Sequence, residues 1–379
     1  MQVISARDAA IFLLYLLGLA LSSIHLYHNP IYAMDAVQYM GNALLMEDTD
    51  IVKVHDRVYT ELQRSVPAGA LRGLLGEDPA SPADQNRSRQ ERARNPGVFA
   101  EFLPFFAIRP LYNQSLWLLS KGGLSLLRSA ILLSVASYFA IGIILLVWIK
   151  PYAGVAFGAA LSFLLMISPP LTEIGRDLTS DGLSTLVAFA ALFLIFEKRR
   201  LAAGLVLLLA SIFFRTDFIV LAGPVLLACW WEKRLALLQA GVLLVLALAS
   251  VLVINHFAGD YGIKMLYYRN FVGVPTTPGE MNIRFSFRDY LSAFRSGITL
   301  AVNSFFVPFL LLGIIGLVSA RLRTLFGVTL GYVVLHFLVL PNWQERWVAV
   351  FYLCCGICAA ATVGSATASS GRAPEPLQP

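Results

Sequence analysis

The sequence predicts an all-α polytopic membrane protein, with about ten transmembrane helices and amphipathic interfacial helices in a large first extracytoplasmic loop. Two observations predict that class. The chain of 379 residues is 58% hydrophobic and only 14% charged, where soluble domains carry about 25% charge. Several stretches also approach the ~20 apolar residues needed to span a ~30 Å hydrocarbon core.

The expected spans lie at about 9–27, 129–149, 152–171, 179–196, 201–214, 217–231, 235–254, 297–319, 325–340 and 347–363. The first is not a cleaved leader: it lacks a strong basic n-region and a small-x-small cleavage site, and more spans follow. Lys150, Lys198-Arg199-Arg200, Lys233-Arg234, and Arg321 with Arg323 recur at every second connection. The net charge is +6, but the position of these cations says more than the sum. By the positive-inside rule they mark the cytoplasmic side. Both termini then face the cytoplasm. Residues 1–363 form one transmembrane domain, and 364–379 form a disordered cytoplasmic tail.

Spans five and six are short. Residues 201–231 supply roughly 46 Å of helix at 1.5 Å per residue, whereas two full crossings need about 60 Å. One long helix would put the two basic connections on opposite sides. A hairpin whose tip, Arg215-Thr216-Asp217, stops inside the membrane meets both constraints. Ionisable groups at such depth line a cavity or are buried in protein.

The outward face carries the polar substance: loops 28–128, 168–180, 255–296 and 341–346, besides that tip. In the first loop Ile51, His55, Val58 and Leu62 recur at helical spacing, which predicts an amphipathic helix lying on the membrane surface. Residues 98–106 read as a second interfacial element. Residues 76–95 read as a mobile polar insert, whose Arg87, Arg89, Arg92 and Arg94 either attract phosphates or are simply solvated. Cys229, Cys354, Cys355 and Cys358 all fall in apolar runs, so no disulfide framework is implied. No P-loop, GxGxxG, HExxH or GxSxG pattern stands out.

Four sets of residues on the outward side can carry chemistry. Asp35 sits just past the first span, with Tyr39 one helical turn on. That position suits a general base meeting a lipid-borne substrate at the bilayer surface; helix capping is the plainer role. Glu173, Arg176, Asp177 and Asp181 form the second set. On a helix the three carboxylates, four residues apart, would crowd one side and need a balancing cation. Arg215 and Asp217 form the third, as site residues or as a structural ion pair. Glu345 and Arg346 form the fourth, flanked by Trp343 and Trp347; Arg346 can hold a phosphate or anchor the interface. His25 and His28 lie near Asp35 and offer ligands to a divalent cation, although unmetallated interfacial histidines are the favoured account of them.

With these residues in view, the chain resembles the glycosyltransferase C (GT-C) superfamily of polytopic enzymes that use polyprenyl-phosphate sugars. Protein O-mannosyltransferases and the aminoarabinose transferase of lipid A are examples. The resemblance covers most of 9–355 as a pattern. It rests on Asp35-x-x-x-Tyr39 in the first outward loop, on Arg109-Pro110-Leu111-Tyr112 before the second span, and on Asp181 in Ser180-Asp181-Gly182-Leu183 at the fourth. Arg215 in a short later turn and Glu345-Arg346-Trp347 before a late span complete it. Two departures stand out: Asp35 lacks the paired acid common in that family, and no large soluble domain follows the last span.

The resemblance implies a membrane glycosyltransferase that moves a sugar from a polyprenyl-phosphate carrier to a hydroxyl of a lipid, glycan or protein acceptor, with inversion. Asp35 would be the catalytic base. Tyr39, Arg109, Glu173, Arg176, Asp177, Asp181, Arg215, Asp217, Glu345 and Arg346 would bind substrate. A divalent cation is the one candidate cofactor, and no metal ligand set is assigned. The implied partners are the lipid-linked sugar, the acceptor and membrane lipids, with no nucleic acid. Cysteine-free outward loops and compact length point to a bacterial inner membrane, with the site facing the periplasm or exterior. Two rival readings remain: a lipid or polysaccharide transporter or flippase, and a polymerase or ligase acting on polyprenyl-linked glycans.

Overall fold

The computed structural model describes residues 5–273, 277–280, 286–317 and 320–370. Among these residues every regular element is helical, and a single isolated bridge, Ile31 to Asp177, is the only β-type pairing. Ser5 starts α1 (Ala6–His28) by accepting the Asp8 amide at 3.1 Å. Seven helices then build the first loop: α2 (Met34–Leu44), α3 (Ile51–Ser65), α4 (Ala68–Leu74), α5 (Ala83–Arg94), α6 (Pro96–Phe102), α7 (Pro104–Ala107) and α8 (Pro110–Lys121).

The helical stretch α9 (Leu126–Met166) contains Pro151 and a break at Gly154, whose φ of 72° is open to glycine at little cost. The Tyr138 hydroxyl donates to the Met166 carbonyl at 3.0 Å. In one straight helix those residues would stand roughly 42 Å apart, so the chain doubles back. The second rod ends at Met166, short of the expected 171, because Pro169 and Pro170 open a new helix, α10 (Pro169–Arg176).

Next come α11 (Asp181–Leu192), α12 (Leu201–Phe214) and α13 (Ile219–Trp231), the last two separated by a 3-10 turn at Thr216–Phe218. α14 (Leu237–Phe257) buries Ala240, Ala247 and Ile254, one narrow stripe, and exposes nearly all its other apolar side chains. That is the surface of a helix solvated by lipid. After α15 (Gly262–Phe271), α16 (Phe287–Val302) and α17 (Phe306–Ile315) meet at 64°. The expected span 297–319 falls across this bend. Ser304 closes on the Ala301 carbonyl at 2.6 Å, and the Glu345 carboxylate accepts the Phe305 amide at 2.9 Å. These bonds satisfy backbone groups that a continuous helix would pair internally. α18 (Ala320–Val339) and α19 (Ala349–Ser370) finish the bundle. α19 reaches Ser370, into the stretch expected as a disordered tail; residues 371–379 lie outside the described residues.

By length and composition five helices can cross a membrane, six if the bent pair counts as one span. The chain is therefore an all-α membrane protein. Its first loop is more ordered than the sequence predicts. The apolar face of α3 packs into the protein, with Val54, Val58 and Leu62 buried. The stretch expected as a second interfacial element buries Phe99, Phe102, Phe105 and Phe106 instead. The expected mobile insert contains α5, whose Arg92 stacks over Phe102 at 4.2 Å. The cause is the same in each case: α6 packs on both α3 and α5, so their apolar side chains are largely spent on one another.

Candidate active site

α2 carries Asp35 in its first turn. The helix has no side-chain cap bond, so Asp35 does not serve as an N-cap. A carboxylate there still gains from the partial positive charge of the helix start. From Ala36 to Leu44 the helix is buried, and Asn42 fixes it by donating to the Leu103 carbonyl at 3.0 Å. Asp35 is therefore held on a rigid element while its side chain stays 29% exposed.

Arg346 is the hub that Asp35 faces. One terminal nitrogen lies 3.8 Å from Asp35, another is bonded to Asp177, and Nε is 3.1 Å from Asp181. Nε also donates to the Gln344 side chain at 2.9 Å. Arg215, buried, is bonded to Asp181 and holds both oxygens of Asp217 at 2.8 and 2.9 Å. His336 reaches Asp217 at 2.9 Å, and the Trp347 ring lies under Arg215 at 5.3 Å. The result is one network from Asp35 through Arg346, Asp181 and Arg215 to Asp217 and His336. Four aspartates share two arginines in it, so the network is acid-rich.

The expected carboxylate helix does not form. α10 ends at Arg176, and Asp177 is extended with ψ 128°. Asp177 and Asp181 nevertheless converge on Arg346 from either side of this break. The half-buried Glu173 stands near Arg346; burial raises its carboxyl, and Arg346 opposes the shift. Two expected site residues turn elsewhere. Arg176 donates to the Asn29 carbonyl at 2.7 Å, and with the Ile31 amide on its own carbonyl it clasps the end of α1. Glu345 accepts from the Tyr352 hydroxyl and the Phe305 amide, which ties α19 to the α16–α17 bend.

Tyr39 is fully buried and lies 3.3 Å from the Ser180 hydroxyl. Burial pushes its own hydroxyl up to about 12, Arg109 pulls the other way, and Asp35 and Asp181 add to the rise. The Arg109 guanidinium sits over the Tyr39 and Phe106 rings at 5.6 and 5.7 Å and donates to the Phe105 carbonyl at 3.2 Å. Among the described residues it has no carboxylate within ion-pair distance, and its Nε is buried without a partner.

Asp35 also lines a cavity of about 490 Å³, with Arg89, Arg92 and Arg269 on its walls. The sequence offers Arg89 and Arg92 as insert charges that attract phosphates or are solvated, and gives no such role to Arg269, which stacks over Phe105 and Phe106 at 4.8 and 5.0 Å. The one signal for it is a cation among aromatic residues, Tyr267-Tyr268-Arg269. His25 is exposed beside Asn29, at 3.5 Å. Among the described residues no group of three or more His, Cys, Asp or Glu side chains is placed to hold a metal ion. The acids that do converge are occupied by arginine. No family model, curated protein or solved structure matches the chain.

Proposed function

We propose that this protein is a membrane glycosyltransferase that moves a sugar from a polyprenyl-phosphate carrier to a hydroxyl acceptor on the extracytoplasmic side. The observation that supports it most is the position of Asp35. It is the one acid of the network that combines a rigid helix, a loose 3.8 Å contact to Arg346 and a place on a cavity wall. Asp177 and Asp181 are each more tightly held and buried. In this reading an Asp35 oxygen takes the proton of the acceptor hydroxyl as that oxygen attacks the anomeric carbon. The bond from that carbon to the phosphate oxygen breaks, and the lipid phosphate leaves with the electron pair. A single displacement of this kind inverts the anomeric centre. Arg109 has the guanidinium best placed to meet the leaving phosphate, because Arg215 and Arg346 are already engaged by aspartates.

The ten-span arrangement, with the site at the outer rim of a bacterial inner membrane, belongs to the same proposal. The two basic connections flanking α12 and α13 and the burial of Arg215 at their junction support it. The transporter reading draws on one observation, the His336–Asp217–Arg215 chain, buried at its two ends, among apolar helices. Purified protein in lipid nanodiscs, given polyprenyl-phosphate sugar and acceptor extract, tests the choice. Asp35→Asn should cut transfer by about 10²- to 10⁴-fold, the usual range for a general base, with folding unchanged. Full activity in that variant rules out the role of Asp35. Substrate flux through liposomes without any transfer favours the transporter.

A further inference from the structure

The cavity beside Asp35 has a second wall that the reaction as drawn does not use. Arg92 projects from α5 and is 4% exposed. Its Nε donates to the Ser88 carbonyl at 3.1 Å, and its plane rests on Phe102. Arg269 comes from α15 and rests on Phe105 and Phe106. Arg89 is oriented by bonds to the Gly73 carbonyl at 3.0 Å and the Gln85 side chain at 3.3 Å. An aromatic ledge from α6 and α7 thus carries two guanidinium groups whose side chains line the cavity.

None of the three has a carboxylate within ion-pair distance among the described residues. Arg92 is buried, Arg89 and Arg269 are partly so, and such crowding of cations is costly unless an anion answers it. The cost shows on Arg92, whose guanidinium is held down to about 10, by burial first and by Arg269 second. The Arg269 guanidinium is likewise lowered by burial, with Asp35 opposing. Asp78 also lines the cavity, but its oxygens accept from the Ala80 amide and the Ser81 hydroxyl.

We propose that the cavity walled by Arg89, Arg92 and Arg269 receives an anionic group, a phosphate or phosphodiester, carried by the acceptor. Three guanidiniums around one recess match phosphate geometry. The assignment to the acceptor follows from where the walls originate. Every lining residue belongs to the first outward loop or to α15, and no candidate membrane span contributes one. The cavity is therefore reached from the aqueous loops, whereas a polyprenyl carrier must arrive along the spans. Asp35 stands at the same wall, within reach of a hydroxyl on a molecule anchored there. The proposal rests on the transferase reading and names the chemistry of its acceptor.

Calorimetric titration of inorganic pyrophosphate into the full chain, in zwitterionic nanodiscs at low salt, tests it. Wild type should bind. Arg92→Gln and Arg269→Gln should each weaken binding at least tenfold, and the half-buried Arg89→Gln supplies a variant with little risk of misfolding. Asp35→Asn should tighten binding, because it removes a negative charge from the wall. Nanodiscs loaded beforehand with polyprenyl phosphate should still bind pyrophosphate. Displacement by the lipid would assign the cavity to the donor and overturn the proposal, as would absent binding by wild type or binding as tight as wild type by all three arginine variants. Arginine-dependent binding without sugar transfer would sink the transferase reading alone. Transfer that is indifferent to all three arginines would sink this proposal alone.

Discussion

Arg215 holds the buried part of the network together. Its guanidinium is the counter-charge for Asp181, which is 5% exposed, and for Asp217, which is 29% exposed. Arg215→Ala leaves both carboxylates without it, and breaking a buried pair from one side costs about 3–5 kcal/mol. The expected outcome is a clear fall in the thermal unfolding midpoint in detergent, with Asp181 responsible for most of it. Arg215→Lys should recover only part, because an ammonium cannot serve both acids with a planar fork. Glu173 gives the opposite sign. Burial raises its carboxyl in the folded chain, so over that interval the folded state binds more protons than the unfolded one. Stability then falls as pH rises from the ordinary carboxylate value to the raised one. Glu173→Gln should match wild type below that interval and exceed it at neutral pH, in thermal scans across pH.

At the scale of elements, the placement of Asp35 on which the proposed transfer rests depends on how closely α2 lies on α6. A Cβ on Gly41 would fall 2.6 Å from the Phe99 ring and 2.8 Å from Leu103, both buried. Phe99 is itself packed against His55 and Tyr59, with ring centroids at 5.5 and 6.0 Å, so it has little room to yield. Gly41→Ala should cost about 1–3 kcal/mol of overpacking. It should also tilt α2 and lower kcat more than it raises KM, since Asp35 rides on that helix. What could be read from the sequence at this scale follows a physical divide. The apolar rods, the Lys150 reversal and the Arg215 tip follow from local composition and span length. The inward packing of α3 does not, because an amphipathic face has the same pattern whether lipid or another helix covers it. The pairing of Arg346 with Asp177 is also hidden, for it joins residues 169 positions apart. Arg176 and Glu345 have the chemistry of site residues, and only tertiary contacts reveal that they brace the fold.

Across the whole molecule, the candidate site gathers residues that are far apart in sequence, from α2, from the break after α10, from α11 and from the turn before α19. In the proposed ten-span arrangement, Asp35, Asp177, Asp181 and Arg346 all come from the face opposite Lys198–Arg200 and Lys233–Arg234. This topology can be checked without knowing the substrate. Cys229, Cys354, Cys355 and Cys358 are all buried, so a membrane-impermeant maleimide should label the wild-type chain weakly in intact cells. Arg57→Cys, on the exposed face of α3, should then label from outside. Lys233→Cys should label only after the membrane is opened, and its positive φ of 57° makes Lys233→Gly the control for backbone strain. If Lys233→Cys labels in intact cells while Arg57→Cys does not, the site faces the cytoplasm. An extracytoplasmic acceptor could not then reach Asp35, because the ion-pair network fixes Asp35 to the same rim as Arg346. If both label from outside, α12 and α13 do not return the chain to the side where they began. The charge asymmetry that orients the bundle would then have to be read afresh.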